Sequence, residues 1–223
     1  MVQMDVTDEA SVRQCVDSVL AKAGRLDAVV NNAGIAIMGA VEDTSIEEAK
    51  AQLETNFFGV LRVCRATLPA LRKAGSGHIV NISSLAGIIG LPFSGLYSAS
   101  KFALEGVSES LRMECRGFGV HVVLVQPGDF RTNITQRRTI VAAANNSSAY
   151  REAFERCKHK QEQDETNAPG PEAVAEVVAR ILADPNPRIR YSVGMPSQRM
   201  VVPLKRFLPQ RLFEWAARQS FGM

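Results

Sequence analysis

The chain has 223 residues, 46% of them apolar and 22% charged, enough for one soluble domain with a sizeable core over residues 1–223. A net charge of +3, with no basic stretch interleaved with aromatics, argues against nucleic acid as a partner. Its apolar runs stay short of the roughly 18 residues of a membrane span, and charges from Asp5 onward interrupt any signal peptide, so a cytoplasmic location is expected.

Taken in order, Val2–Val6 reads as the end of a strand. Thr7 or Asp8 then caps a helix whose apolar stripe is Val12, Val16, Val19, Leu20 and Ala23. Leu26–Val30 reads as a short buried strand running into Asn31-Asn32-Ala33-Gly34, where small residues let a backbone or a flat ring come close. Ile46–Leu71 has helical spacing throughout and carries Asn56 inside it. An amide there is costly unless it finds partners, so a satisfied structural Asn is the direct reading.

The stretch from Gly77 to Lys101 organises the rest. A strand at His78–Ile82 leads into a Ser pair, a Gly-rich loop and a helix opening near Ser98 and running to Arg116. Tyr97 and Lys101 are four residues apart, stacked one turn apart on one helix face. Ser84 lies thirteen residues before Tyr97, at a strand end, where parallel sheets present their chemistry. A phenol, an ammonium and a hydroxyl together make a proton-transfer device, in which Lys101 would lower the Tyr97 pKa toward neutrality and Ser84 would hold a C–O oxygen.

The second half alternates again. His121–Val125 is a near-continuous apolar strand ending in Pro127-Gly128, by itself merely a turn. Residues 130–168 are polar and suit a lid or substrate loop, with a helix from Ala149 to Gln163. A helix over Pro171–Asp184 and an edge strand over Arg188–Val193 follow. Pro203–Gly222 reads as one basic amphipathic helix bearing Phe207, Leu208, Leu212, Phe213 and Trp215; it packs on the domain or, as the alternative, lies on a membrane surface. All-apolar strands alternating with amphipathic helices predict a parallel α/β sheet covered on both faces. Four scattered cysteines and three histidines suggest reduced thiols and no metal site.

The spacing of Ser84, Tyr97 and Lys101, together with Asn31-Asn32-Ala33-Gly34, resembles the short-chain dehydrogenase/reductase family. The resemblance implies a Rossmann-like doubly wound sheet and an NAD(P)-dependent oxidoreductase interconverting an alcohol and a ketone or aldehyde. It implies Tyr97 as acid/base, Lys101 as its modulator and ribose contact, Ser84 as C–O orienter, and Asn56 as holder of a proton-relay water. Asp5, Val6, Asn32, Ala33 and Gly34 would line the adenine side of the NADP or NAD site, and Pro127, Gly128 and Thr132 the nicotinamide side. The residues around Leu91-Pro92-Phe93 resemble the hydroxysteroid and retinol dehydrogenase branch, implying a bulky apolar substrate. Two long helices imply a homodimer or homotetramer.

The family pattern also contains a G-x-G-x-x-G-type phosphate loop, which this sequence lacks. The expectation is that the first two strands and helices are missing. The Val2–Val6 strand would then have no neighbour, and Leu26–Val30 would carry an open apolar edge. The rival reading is a truncated, inactive relative serving as a dimerisation module.

Overall fold

A computed structural model of the chain describes residues 2–145 and 149–223. Four parallel strands form the sheet, β1 (Ala28–Asn31), β3 (Gly77–Ile82), β4 (Val120–Pro127) and β6 (Arg190–Val193), in the order β1-β3-β4-β6. A two-residue pair, β2 (Ile37–Met38) with β5 (Thr139–Ile140), lies outside it.

Strand alternation divides the core in two. Ile79, Val122 and Leu124 point to a layer of α1 (Glu9–Ala23), α3 (Gly59–Ala74) and α4 (Gly95–Cys115), meeting Val12, Val63, Leu71 and Leu104. Val80, Val123 and Val125 point to the opposite face, against Val177 and Ile181 of α7 (Glu172–Ala183). Most of these side chains are fully buried, each worth about 1.5–3 kcal/mol of transfer free energy. With both faces covered, the two central strands are mostly apolar, with His78, Asn81, His121 and Gln126 as their polar members, in keeping with the sheet class the sequence predicts.

The helix starts follow local chemistry. Asp8, rather than Thr7, caps α1 by accepting from the Ala10 N–H, and Gly24 closes the helix in the left-handed region at φ 74°. Ser45 and Glu48 form a reciprocal capping box on α2 (Ile46–Leu53).

Several expectations need correction. Val2–Val6 is not a strand: no described strand pairs with it, and an unpaired strand leaves its backbone groups unsatisfied. Accordingly β1 is a sheet edge, and Val30 on it is 41% exposed. The Ile46–Leu71 helix continues to Ala74 but is interrupted by a π-helical turn at Glu54–Phe58. The helix expected to open near Ser98 begins at Gly95. The expected helix at 149–163 is α6, Arg151–Asn167, preceded by a short α5, Ile134–Arg137; residues 146–148 of the expected loop region lie outside the described residues. Beyond a four-residue α8 (Pro196–Arg199), the single C-terminal helix is two, α9 (Val201–Phe207) and α10 (Gln210–Ser220). They part at Leu208, which the following Pro209 pushes into the extended region at ψ 143°.

Candidate active site

The carboxyl ends of β1, β3 and β4 open into a cavity of about 620 Å³. Ser84, Tyr97 and Lys101 all line it. Ser84 follows β3 and begins a 3₁₀ turn, its hydroxyl accepting from the Ala86 N–H and donating to the Pro127 carbonyl at 3.4 Å. Tyr97 and Lys101 project from the first two turns of α4.

Lys101 is 6% exposed, its Nζ donating to the Ile82 carbonyl at 2.9 Å and lying 5.7 Å from the centroid of the Tyr97 ring. Burial brings its pKa down to about 8, against the pull of Glu105. The Tyr97 phenol is not lowered as expected. Burial raises it, the Ser84 hydroxyl offsets part of the rise, and Glu165 adds to it. The reason is geometric: Lys101 gives its hydrogen bond to a backbone carbonyl and meets the ring rather than the phenol oxygen.

Asn56 sits in the π-helical turn, a deviation often found at functional sites. Its amide is fully partnered: Oδ1 accepts from the Ile35 N–H at 2.9 Å, and Nδ2 donates to the Ile35 carbonyl and to Ser100 Oγ. Gln52, one turn earlier, holds the next stretch by accepting from Ile37 N and donating to Ile35 O. Together they brace the loop after β1 against α4; Asn56 makes no hydrogen bond to Lys101 among the described residues.

Of the residues the resemblance assigns to a dinucleotide, Asn32, Gly34, Tyr97, Lys101, Pro127, Gly128 and Thr132 line the cavity. Asp5, Val6 and Ala33 do not. The Asp5 carboxylate is spent on the Thr7 N–H and hydroxyl, which lower its pKa, and Val6 lies against Gly59. The residues that the resemblance assigns to the nicotinamide end thus share one cavity, while those it assigns to the adenine end do so only in part. The described residues supply no Gly-rich phosphate turn.

The sequence reading missed a polar cluster at the cavity wall. Asp129 follows Gly128, accepts from Gln198 Nε2 at 2.5 Å through its carboxylate, and donates its N–H to Gln198 Oε1. A Cβ on Gly128 would meet Gln198 Oε1 at 2.3 Å, so the bare backbone is what lets this amide approach. Burial, then Glu165 and Asp164, push the Asp129 pKa up to about 6. Arg138 pairs with Glu165 in the same wall. An acidic residue directly after Pro-Gly was a visible signal for Asp129; nothing local signalled Gln198, 69 residues away. Away from this polar end the wall is apolar, formed by Ile89, Leu91, Val201, Leu208, Phe213 and Phe221.

The short chain dehydrogenase family model matches residues 1–142. A 3-ketodihydrosphingosine reductase of Bacteroides thetaiotaomicron is 42% identical over 223 residues, spanning 100% of this chain and 83% of that protein. A short-chain dehydrogenase from Streptomyces avermitilis superposes with a TM-score of 0.81 at 32% identity, over 96% of this chain and 78% of that one. A gluconate 5-dehydrogenase from Burkholderia cenocepacia, solved with NADP and tartrate, gives 0.58 at 26% identity, over 70% of this chain and 58% of that one. With its parallel sheet, its strand-end cavity and these matches, the chain belongs to the short chain dehydrogenase family of oxidoreductases.

Proposed function

We propose that this protein reduces the ketone of a long-chain, apolar substrate to an alcohol at the expense of NADPH or NADH. The observation that carries the reading is the convergence of Ser84, Tyr97 and Lys101 in a cavity with an extended apolar wall, formed by Ile89, Leu91, Val201, Leu208, Phe213 and Phe221 away from the polar end at Asp129. When bound, the nicotinamide supplies the hydride. The Ser84 hydroxyl turns its hydrogen from the long, 3.4 Å contact with the Pro127 carbonyl to the substrate oxygen and holds it beside the Tyr97 phenol. Tyr97 gives its proton to that oxygen as negative charge develops there. A phenol raised by burial stays protonated at neutral pH, which suits donation and therefore the reductive direction. Lys101 supplies positive charge against the Tyr97 ring, favouring the phenolate left behind. Asn56 gives both amide hydrogens to Ile35 and Ser100, so the second lone pair of its Oδ1 is what it has left for the water through which the phenol is reprotonated from solvent.

The apolar extent of the cavity supports a lipid-like substrate over a sugar or hydroxy acid, as does similarity to a 3-ketodihydrosphingosine reductase. Described cysteines that are all free thiols suit a cytoplasmic protein. The test is Tyr97→Phe, assayed by cofactor oxidation with a long-chain ketone. Turnover falls by roughly two to four orders of magnitude, the usual worth of a positioned acid. A variant keeping most of its turnover removes this mechanism.

A further inference from the structure

The C-terminal hairpin has two apolar sides. Its inner side belongs to the cavity: Val201, Leu204 and Leu208 of the α9 stretch, with Phe213 and Ala217 of α10 and Phe221 just past its end, form part of the wall. Lys205 tethers that side to the body, donating to the Ile88 carbonyl and lying 5.1 Å from the Phe102 ring centroid.

The outer side is also apolar, and nothing described covers it. Phe207 is 77% exposed, Trp215 59% and Leu212 47%. Helical spacing turns these residues away from the cavity-facing stripe. It turns Arg206, Arg211 and Arg218 the same way, all exposed and without an ion-pair partner among the described residues. From Arg199 to Arg218 the chain carries five basic side chains and the single acid Glu214. Aromatic and leucine side chains ringed by unpaired arginines match an interface that is apolar within and negative at its surface. A second protein surface would have to bury three arginines with only Glu214 on this hairpin to answer them. No described helix is long and apolar enough to cross a bilayer, so the contact is peripheral.

We propose that the α9–α10 hairpin docks this protein on an anionic lipid bilayer, with Phe207, Leu212 and Trp215 entering the headgroup region and Arg206, Arg211 and Arg218 meeting lipid phosphates. Resting on the substrate reading above, the docked hairpin sets the cavity wall against the phase in which an apolar ketone is dissolved.

Trp215 is the only tryptophan in the chain, so its emission reports this surface alone. The full chain is titrated with vesicles of phosphatidylcholine and phosphatidylglycerol, and with phosphatidylcholine alone. Expected is a blue shift with the anionic vesicles below about 1 mM lipid, quenched by bilayer-embedded bromolipid and weakened by salt. Arg206→Glu, Arg211→Glu and Arg218→Glu together lower the partitioning by roughly a hundredfold or more. Phe207→Ser with Leu212→Ser leaves association without the blue shift. Thermal melting, and turnover on detergent-dispersed ketone, stay unchanged in both variants, which separates failure of docking from failure of the catalytic reading. No shift with anionic vesicles, equal binding to neutral ones, or full binding by the triple arginine variant overturns the proposal. So does a blue shift that grows with protein concentration without lipid, which assigns the face to a second copy.

Discussion

Replacing Lys101 by methionine exchanges a buried ammonium for an apolar side chain of similar length, and the structure says what each exchange is worth. Burial holds the Lys101 pKa at about 8 instead of 10.5, equivalent to roughly 3 kcal/mol of penalty on the charged form at 1.36 kcal/mol per pH unit. The Lys101→Met variant loses that penalty but leaves the Ile82 carbonyl without its donor, at a cost of about 1–3 kcal/mol. At pH 7 the two nearly cancel, so the variant unfolds within about 2 kcal/mol of the parent, equal or more stable. The pH dependence is the sharper signature. Because the folded-state pKa lies below the unfolded one, between pH 8 and 10 the unfolded chain holds more protons and the parent gains stability as pH rises. The variant lacks this gain. Thermal unfolding at pH 7 and pH 10 should therefore move the parent up by about 2–3 kcal/mol relative to the Lys101→Met variant, some 4–12 °C for a chain of this size. Ketone reduction by the variant falls at the same time. A difference between the two proteins that is the same at both pH values would show that Lys101 is not desolvated as described, and its role beside Tyr97 would fall with it.

Asp129→Asn should stabilise the protein by about 1–2 kcal/mol at pH 7.5, after discounting for solvent screening. Its folded pKa of about 6 lies above the ordinary 3.8, so the parent loses stability as pH rises through 6, and the two proteins should converge below pH 4. Melts that stay parallel from pH 4 to 7.5 would refute the assignment. Ile46, Phe58, Phe102 and Met113, exposed by 42–72% on the α2–α4 side, predict a homodimer or homotetramer built on those helices. Sedimentation that gives only monomer at micromolar concentration would count against it.

What was legible in the sequence was legible because it is local. Tyr97 and Lys101 share a helix face by the period of the helix, and Ser84 stands at the end of an apolar strand whatever lies around it. The parallel, doubly covered sheet follows likewise from strands such as Val120–Pro127 that offer no polar side to water. The Val2–Val6 strand failed for the complementary reason: a strand exists only through its neighbour, and strand propensity alone does not supply one. Tertiary structure decided the rest. Whether Lys101 meets the Tyr97 phenol or the Ile82 carbonyl depends on how closely β3 approaches α4. Asp129 acquires its raised pKa first from burial and then from Glu165 and Asp164, brought to it by the fold of α6, and its partner Gln198 from a helix beyond β6. The cavity owes part of its apolar wall to the last 23 residues of the chain, Val201 to Met223, whose Phe and Leu residues read equally well as a packed terminal helix. Contacts between residues tens of positions apart carry no period along the chain, and only packing brings them into register.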